Sequence, residues 1–161
     1  MTGMETTTPI TATTVTTETR LRDRPTQATP SVAQPIDLEP LLGGWVNYDE
    51  TATGIARARI DERDGDLIVR IFGAGAPDHI GPSGDVEPDW IDWGEAVGAA
   101  FSLGVDDHEA TGFYARYDFG FVQVLLAAYL NKRLLVLDAY TTFADGSGRS
   151  AYFQRDHLYL P

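Results

Sequence analysis

Tyrosine, glutamine, aspartate and histidine side chains recur at alternating positions along apolar segments in the second half of the chain. In "TGFYARYDFG" one face carries Phe113, Tyr117 and Phe119, and the other face carries Arg116 and Asp118. A few hydrogen-bonding groups in an aromatic surround are typical of a small-molecule site. The same alternation predicts further ligand contacts on the segments that follow, at Gln123, Tyr129, Asp138, Tyr140, Arg155 and His157.

Alternation shows which residues share a face, but two interpretations of each face stay open. An inward face would line a cavity, whereas an outward face would be solvated. In the segment above, the face that contains Phe113 is the one expected to point inward. We favour Tyr117 and Tyr140 as cavity residues, because a large amphipathic ring suits an inner wall with one polar contact.

Residues suited to metal or nucleophile chemistry are few. The chain has no cysteine, and its three histidines, His79, His108 and His157, are far apart in sequence. Adjacent acidic residues such as those at 106–109 rarely converge on one ion. The stretch "GAGAP" at 73–77 lacks the full dinucleotide fingerprint. We therefore expect neither a metal site nor a cofactor.

Strands must position these side chains, because the apolar period is close to two from Trp45 onward. Asp64-Gly65 and Asn131-Lys132 suit tight hairpin turns. Segment 121–130 is apolar on both faces and has some helical propensity, but its position between two strand candidates favours a strand. Eight strands are predicted, at residues 45–50, 54–62, 67–73, 95–103, 111–119, 121–130, 134–143 and 150–160.

The predicted fold is all-β, an eight-stranded antiparallel up-and-down barrel, because closure removes exposed sheet edges. Such a barrel is either filled by side chains or holds one small ligand. Residues 1–35, with 12 Thr and no aromatic residue, predict a disordered tail. Residues 36–161 are expected to form one domain, with 36–44 as a short lid. The Gly-, Pro- and Asp-rich stretch 73–90 would form a lip over the cavity.

The formal net charge of -12 lies in the predicted barrel, because three acidic and three basic side chains cancel within residues 1–35. A surface of this charge repels phosphate backbones and anionic lipids. No apolar run reaches the roughly 18 residues of a membrane span. The first residues also lack the basic start and apolar core of a secretory signal. We expect a cytoplasmic protein without nucleic-acid or membrane partners.

The stretch Gly43-Gly44-Trp45, at the start of the first strand, resembles the G-x-W motif of lipocalins and their calycin relatives, including avidin-like barrels. In those families the tryptophan closes one end of the barrel and stacks on a basic side chain from a late strand. The resemblance therefore implies that Trp45 is the barrel floor. It implies Arg155 as the stacking partner, with Arg149 as the second candidate.

In size, strand order and an N-terminal segment ahead of the barrel, the chain is similar to bacterial barrels that catalyse Diels–Alder cyclisation in spirotetronate and spirotetramate biosynthesis. The resemblance implies a cofactor-independent cyclase or isomerase of polyketide biosynthesis that folds a linear polyene in its cavity. Trp90, Trp93, Tyr117 and Tyr140 would then shape the pocket. Gln123 or a tyrosine hydroxyl would polarise a carbonyl of the substrate.

Two other functions stay open. A lipocalin-like carrier of a hydrophobic small molecule needs the same cavity and no chemical step. A barrel with a filled core would be structural or would bind proteins. A homodimer through an outer apolar face, such as Val122, Val124 and Leu126, is a further expectation.

Overall fold

The computed structural model describes residues 35–75 and 90–161. The predicted tail, except Pro35, and most of the predicted lip lie outside the described residues. A single 3₁₀ turn, Glu39–Leu41, precedes the strands. The strands are β1 Gly43–Asn47, β2 Ile55–Arg63, β3 Asp66–Ala74, β4 Trp90–Phe101, β5 Gly112–Asp118, β6 Val122–Asn131, β7 Leu134–Phe143 and β8 Tyr152–Tyr159.

The strands form a closed barrel in which each pairs with the next in sequence and β8 returns to β1. Every pairing is antiparallel. The predicted all-β up-and-down barrel is confirmed, and the ambiguous segment 121–130 lies in strand β6. No helix in the described ranges is long and apolar enough to cross a bilayer.

The largest difference from the predicted strands is β4, which begins at Trp90 rather than at residue 95. Arg70 pairs with Glu95 and Phe72 pairs with Asp92, so two residues of β4, Trp93 and Gly94, face one residue of β3. Gly94 has a φ of 81°, which glycine adopts without a steric penalty. This bulge interrupts the period of two, which is why the first part of the strand did not stand out in the sequence.

The barrel interior is filled mainly by aliphatic side chains that alternate along the strands. On β5, Phe113, Ala115 and Tyr117 point inward, as predicted, because the other face carries Arg116 and Asp118. On β6, Val124 and Leu126 are buried in the core. The face of Val122, Val124 and Leu126 therefore points into the barrel, so these residues do not form the outer apolar face expected for a homodimer; the homodimer itself stays a prediction.

Residues 36–42, which we call the plug, close one end of the barrel. Leu41 is fully buried and Leu38 nearly so, and both belong to the core cluster. The segment is anchored by backbone hydrogen bonds, from Asp37 N to His108 O at 2.6 Å and from Ala110 N to Asp37 O at 2.9 Å. The residues predicted as a lid thus sit at the end of the barrel where β1 begins.

Trp45 packs against this closed end. Its side chain is 2% exposed, and its indole Nε1–H donates a hydrogen bond to Leu41 O at 2.9 Å. The indole therefore ties the plug to the first strand, in agreement with a tryptophan at the closed end. The partner of the indole N–H is a backbone carbonyl of the plug.

Candidate functional site

The end of the barrel opposite the plug is lined by aromatic and hydroxyl side chains. The connections 48–54, 119–121 and 144–151 lie at this end, together with the ends of β3 and β4. We call the inward-facing residues there the mouth. They are Trp93, Tyr117, Phe119, Thr141, Phe143 and Tyr152.

One side of the mouth is an aromatic triad of Trp93, Tyr117 and Phe119. The ring centroids of Trp93 and Tyr117 are 5.6 Å apart at an interplanar angle of 78°. Trp93 meets Phe119 edge-on at 6.0 Å, and Tyr117 stacks with Phe119 at 6.0 Å. Edge-to-face and offset-stacked rings hold one another in place. The triad is therefore a rigid wall for a flat or apolar ligand.

The bulge and a glycine bring Trp93 into the barrel. Where two residues of one strand face a single residue of its neighbour, the side chains that follow switch to the other face of the strand. Across from the bulge, a Cβ on Gly73 would lie 3.0 Å from Trp93 Nε1, closer than side chains normally approach. The absence of a side chain at Gly73 therefore leaves space for the indole against the β3 backbone.

The other side of the mouth carries a hydroxyl pair, Thr141 and Tyr152, which are direct partners on β7 and β8. Thr141 is 5% exposed and Tyr152 is 52% exposed. Among the described residues, the side-chain hydrogen bonds of β7 and β8 come from Thr142, Gln154 and Arg155 and not from these two hydroxyls. Because β8 and β4 are four strands apart in an eight-stranded barrel, Tyr152 faces the strand that carries Trp93, whereas Thr141 on β7 lies two strands from Tyr117 on β5.

Phe143 completes this side, where its ring centroid is 6.1 Å from that of Tyr152. The Arg149 guanidinium carbon lies 4.0 Å from the centre of the Phe143 ring. Arg149 is also paired with Asp145 and donates from Nε to Ser147 Oγ at 2.8 Å. The connection between β7 and β8 thus folds over Phe143 with its only cation already engaged.

A polar network lies deeper on the same side. Asp156 Oδ1 accepts from Asn47 Nδ2 at 3.0 Å, and Asp156 Oδ2 accepts from Gln154 Nε2 at 2.7 Å and Ile55 N at 3.3 Å. Asn47 and Asp156 are both buried. The network lies at the seam where β8 meets β1 through only two residue pairs. These side-chain hydrogen bonds supplement a short backbone ladder.

Tyr117, predicted as catalytic, is in the mouth, but its hydroxyl is engaged. The O–H donates to Val69 O at 2.7 Å, and the residue is 5% exposed. Burial raises the pKa of the phenol above its ordinary value of 10.0. The residue can therefore contribute its ring to a ligand, whereas its hydroxyl already serves the backbone of β3.

Gln123 and Tyr140, the other residues predicted as catalytic, are on the outside of the barrel. Tyr140 is 45% exposed and Gln123 donates to Asp118 Oδ2 at 3.2 Å. Their inward neighbours are Val124 and Thr141. Both line an outer groove of about 360 Å³ over β5, β6 and β7. The expectation that they line the interior is wrong, because the opposite face of each strand fills the core.

Tyr129, Asp138, Arg155 and His157 share this outer surface. Asp138 and Arg155 form a two-pronged ion pair, with Nε–Oδ1 at 2.7 Å and Nη2–Oδ2 at 2.8 Å. The hydrogen bonds to Asp138 raise the pKa of the Arg155 guanidinium. Its predicted stacking on Trp45 is therefore wrong, since the two side chains are on opposite sides of the wall. Arg149 stacks on Phe143 instead.

Two other predicted ligand contacts also lie outside the mouth. Trp90 faces outward, where the guanidinium carbon of Arg57 lies 4.5 Å from its ring centre. Phe113 points inward but is fully buried and pairs with Ala100 and Ala128, toward the plugged end. Of the predicted site residues, the structure thus brings Trp93 and Tyr117 together in the mouth.

Sequence reasoning missed Thr141, Phe143 and Tyr152. The outer face instead carries Thr142, which lies between Thr141 and Phe143, and Phe153, which follows Tyr152. The hairpin "ADGSGRS" did carry a usable signal, because the strands on either side of a hairpin pair in a fixed register. Once the inward face of β7 is known, that register assigns the faces of β8.

Besides the outer groove, a cleft of about 300 Å³ lies at the seam between β8 and the connection 48–54. Asn47 and Asp156 reach it from inside the wall, and Arg155 and His157 from outside. The cleft therefore gives side access to the polar network.

No protein-family model, curated protein or solved structure matches the chain. The closed eight-stranded antiparallel barrel is consistent with a calycin-like fold.

Proposed function

We propose that the chain is a cofactor-independent cyclase or isomerase that binds a hydrophobic, conjugated small molecule in the mouth and holds it folded for an intramolecular Diels–Alder reaction. The observation that carries the proposal is the composition of the mouth. An aromatic triad on β4 and β5 and a hydroxyl pair on β7 and β8 line the same end of the barrel, with Tyr152 on the strand opposite that of Trp93.

An intramolecular cyclisation of this kind needs shape more than reactive groups. The diene and the alkene must be held close together and aligned, and effective molarities show that positioning alone supplies up to about 7–11 kcal/mol in favourable cases. The triad offers flat walls for a conjugated chain, and the plug prevents it from extending through the barrel. A linear molecule that enters would have to fold back toward the mouth.

The hydroxyl pair supplies electrostatic assistance in this proposal. A hydrogen bond from Thr141 or Tyr152 to a carbonyl beside the accepting alkene would withdraw electron density from that alkene. This role replaces the one predicted for Gln123 and Tyr140, whose side chains are on the outer surface. The Tyr117 hydroxyl is committed to Val69.

A carrier without a chemical step is the second candidate. It is favoured by the fact that none of the three residues predicted as catalytic presents a free donor inside the barrel. Aromatic rings and two hydroxyls are sufficient to retain a hydrophobic ligand.

A linear trienone, in which a diene and an enone are joined by a three-carbon tether, tests the proposal. Its cyclised product has the same mass and separates by chromatography. We expect the purified protein to accelerate cyclisation over buffer and to change the ratio of stereoisomers. Retention of unchanged trienone by the protein would instead support the carrier.

Trp93→Leu and Trp90→Leu are a matched pair, because the two residues lie on the same strand and face opposite sides of the wall. Trp93→Leu should reduce the rate enhancement at least about tenfold, since it removes the central ring of the triad. Trp90→Leu should leave the rate within about twofold. Equal effects of the two substitutions would contradict a reaction inside the mouth.

A further inference from the structure

The buried carboxylate of Asp156 has no role in the proposed reaction. It lies on the inward face of β8 and is 7% exposed. Its three hydrogen-bond donors are two side-chain amides and one backbone N–H. Within the described part of the chain, no arginine, lysine or histidine is paired with it.

The pairing register of β7 and β8 places Asp156 below the mouth, toward the barrel interior. Along β8 the inward residues run from Tyr152 at the rim through Gln154 to Asp156. Four residues of strand span roughly 13 Å. Gln154, which is partly exposed, donates directly to Asp156. A ligand held between the triad and the hydroxyl pair therefore has a negative charge beneath it.

Among the described residues of the rim, no cation is left free to balance this charge. The connection 48–54 carries Asp49 and Glu50 and no basic residue. The connection 144–151 carries Asp145 and Arg149, which pair with each other. Hydrogen bonds from Ser147, followed by the contact with Arg149, lower the pKa of Asp145 to about 2. The positive charge of Arg149 is thus neutralised by Asp145 in the same connection.

We propose that the mouth selects uncharged hydrophobic molecules that carry a hydrogen-bond acceptor and excludes fatty carboxylates, with Asp156 as a specificity-determining residue. This inference rests on the proposed binding in the mouth. An anion transferred into the barrel would lose its hydration without gaining a cation, and it would also meet the Asp156 carboxylate. A neutral carbonyl or hydroxyl would accept from the hydroxyl pair without that penalty.

All-trans-retinol and all-trans-retinoate test the inference, because they share a conjugated chain and differ in the charge of the end group. Binding is measured at neutral pH by energy transfer from tryptophan to the polyene. We expect retinoate to bind at least about tenfold more weakly, the order for like charges roughly 13 Å apart in a protein interior. Equal affinities would overturn the inference and leave the proposed binding intact. Failure of both probes to bind would contradict the proposed function as well.

Three variants locate the origin of the selectivity. Asp156→Asn removes the buried charge and should bring the affinities for retinol and retinoate closer together. Asp145→Asn, at an exposed position, should narrow it independently by releasing Arg149. Glu62→Gln changes the net charge equally on an exposed residue near the plugged end and should leave the ratio unchanged. An effect of Glu62→Gln as large as that of Asp156→Asn would show that the overall charge is responsible and would overturn the role of Asp156.

Discussion

At the scale of single residues, Tyr117 shows how a side chain can be in the right place with a different task. Its ring forms part of the triad, and its hydroxyl satisfies the Val69 carbonyl. A buried carbonyl that loses a hydrogen-bond donor lowers the stability of the fold. A ligand that took the hydroxyl away from Val69 would have to offset that loss. The hydroxyl is therefore structural, whereas the ring belongs to the site.

Tyr117→Phe should lower the free energy of unfolding by about 1 kcal/mol, because it removes the buried hydrogen bond from the hydroxyl to Val69 O. Retinol affinity should stay within about twofold, since the ring remains. Urea denaturation and the energy-transfer titration measure the two quantities. Tyr140→Phe on the outer surface is the control and should change stability by less than about 0.5 kcal/mol. A large loss of retinol affinity in Tyr117→Phe would show that the hydroxyl contacts the ligand.

The sequence was sufficient to orient β5 but not β7 and β8, for a physical reason. The outer face of β5 carries Arg116 and Asp118, which water must solvate. On β8 the inward face carries Gln154 and Asp156, so polarity alone would predict that this face is exposed to solvent. Asp156 is tolerated inside because Asn47 and Gln154 hydrogen-bond to it. Such long-range pairing cannot be inferred from the alternation within one strand.

At the scale of elements, the plug and the β4 bulge determine which end of the barrel is open. The plug places Leu41 in the core and is tied to Trp45 by a hydrogen bond. The bulge at Trp93 and Gly94 turns an indole into the other end. The number of strands and most of their bounds could be predicted from the period of two. The bulge could be located only from the pairing with β3.

Leu41→Ala should destabilise the barrel by about 2–5 kcal/mol, because it leaves a cavity beneath the plug. The side chain is fully buried, and its neighbours belong to closed strands that cannot collapse freely. Leu103→Ala is the matched control, since Leu103 is 85% exposed and the same atoms are removed. The free energy of unfolding from urea titrations gives both values. A loss below about 1 kcal/mol for Leu41→Ala would show that the plug does not contribute to the core.

At the scale of the whole molecule, the barrel has a filled half and an aromatic mouth, and its surface is strongly acidic. The filled half supplies the stability that allows the mouth to keep a partly exposed Trp93, Phe119 and Tyr152. The formal net charge of -12 could be read from the sequence. The expectation that the chain does not bind nucleic acid follows from this charge and stays a prediction. The position of the candidate site could be found only from the closed topology, because the triad comes from β4 and β5 and the hydroxyl pair from β7 and β8.

An amide-shift titration of isotope-labelled protein with all-trans-retinol is the decisive test of the claim that a hydrophobic ligand binds in the mouth. We predict the largest shifts at the backbone amides of Trp93, Tyr117, Thr141 and Tyr152 and at the indole N–H of Trp93. Amides of the plug should be unaffected, because the filled core separates them from the ligand. Shifts confined to Gln123, Tyr140 and their neighbours in the outer groove would contradict the claim and place the ligand on the outside of the barrel.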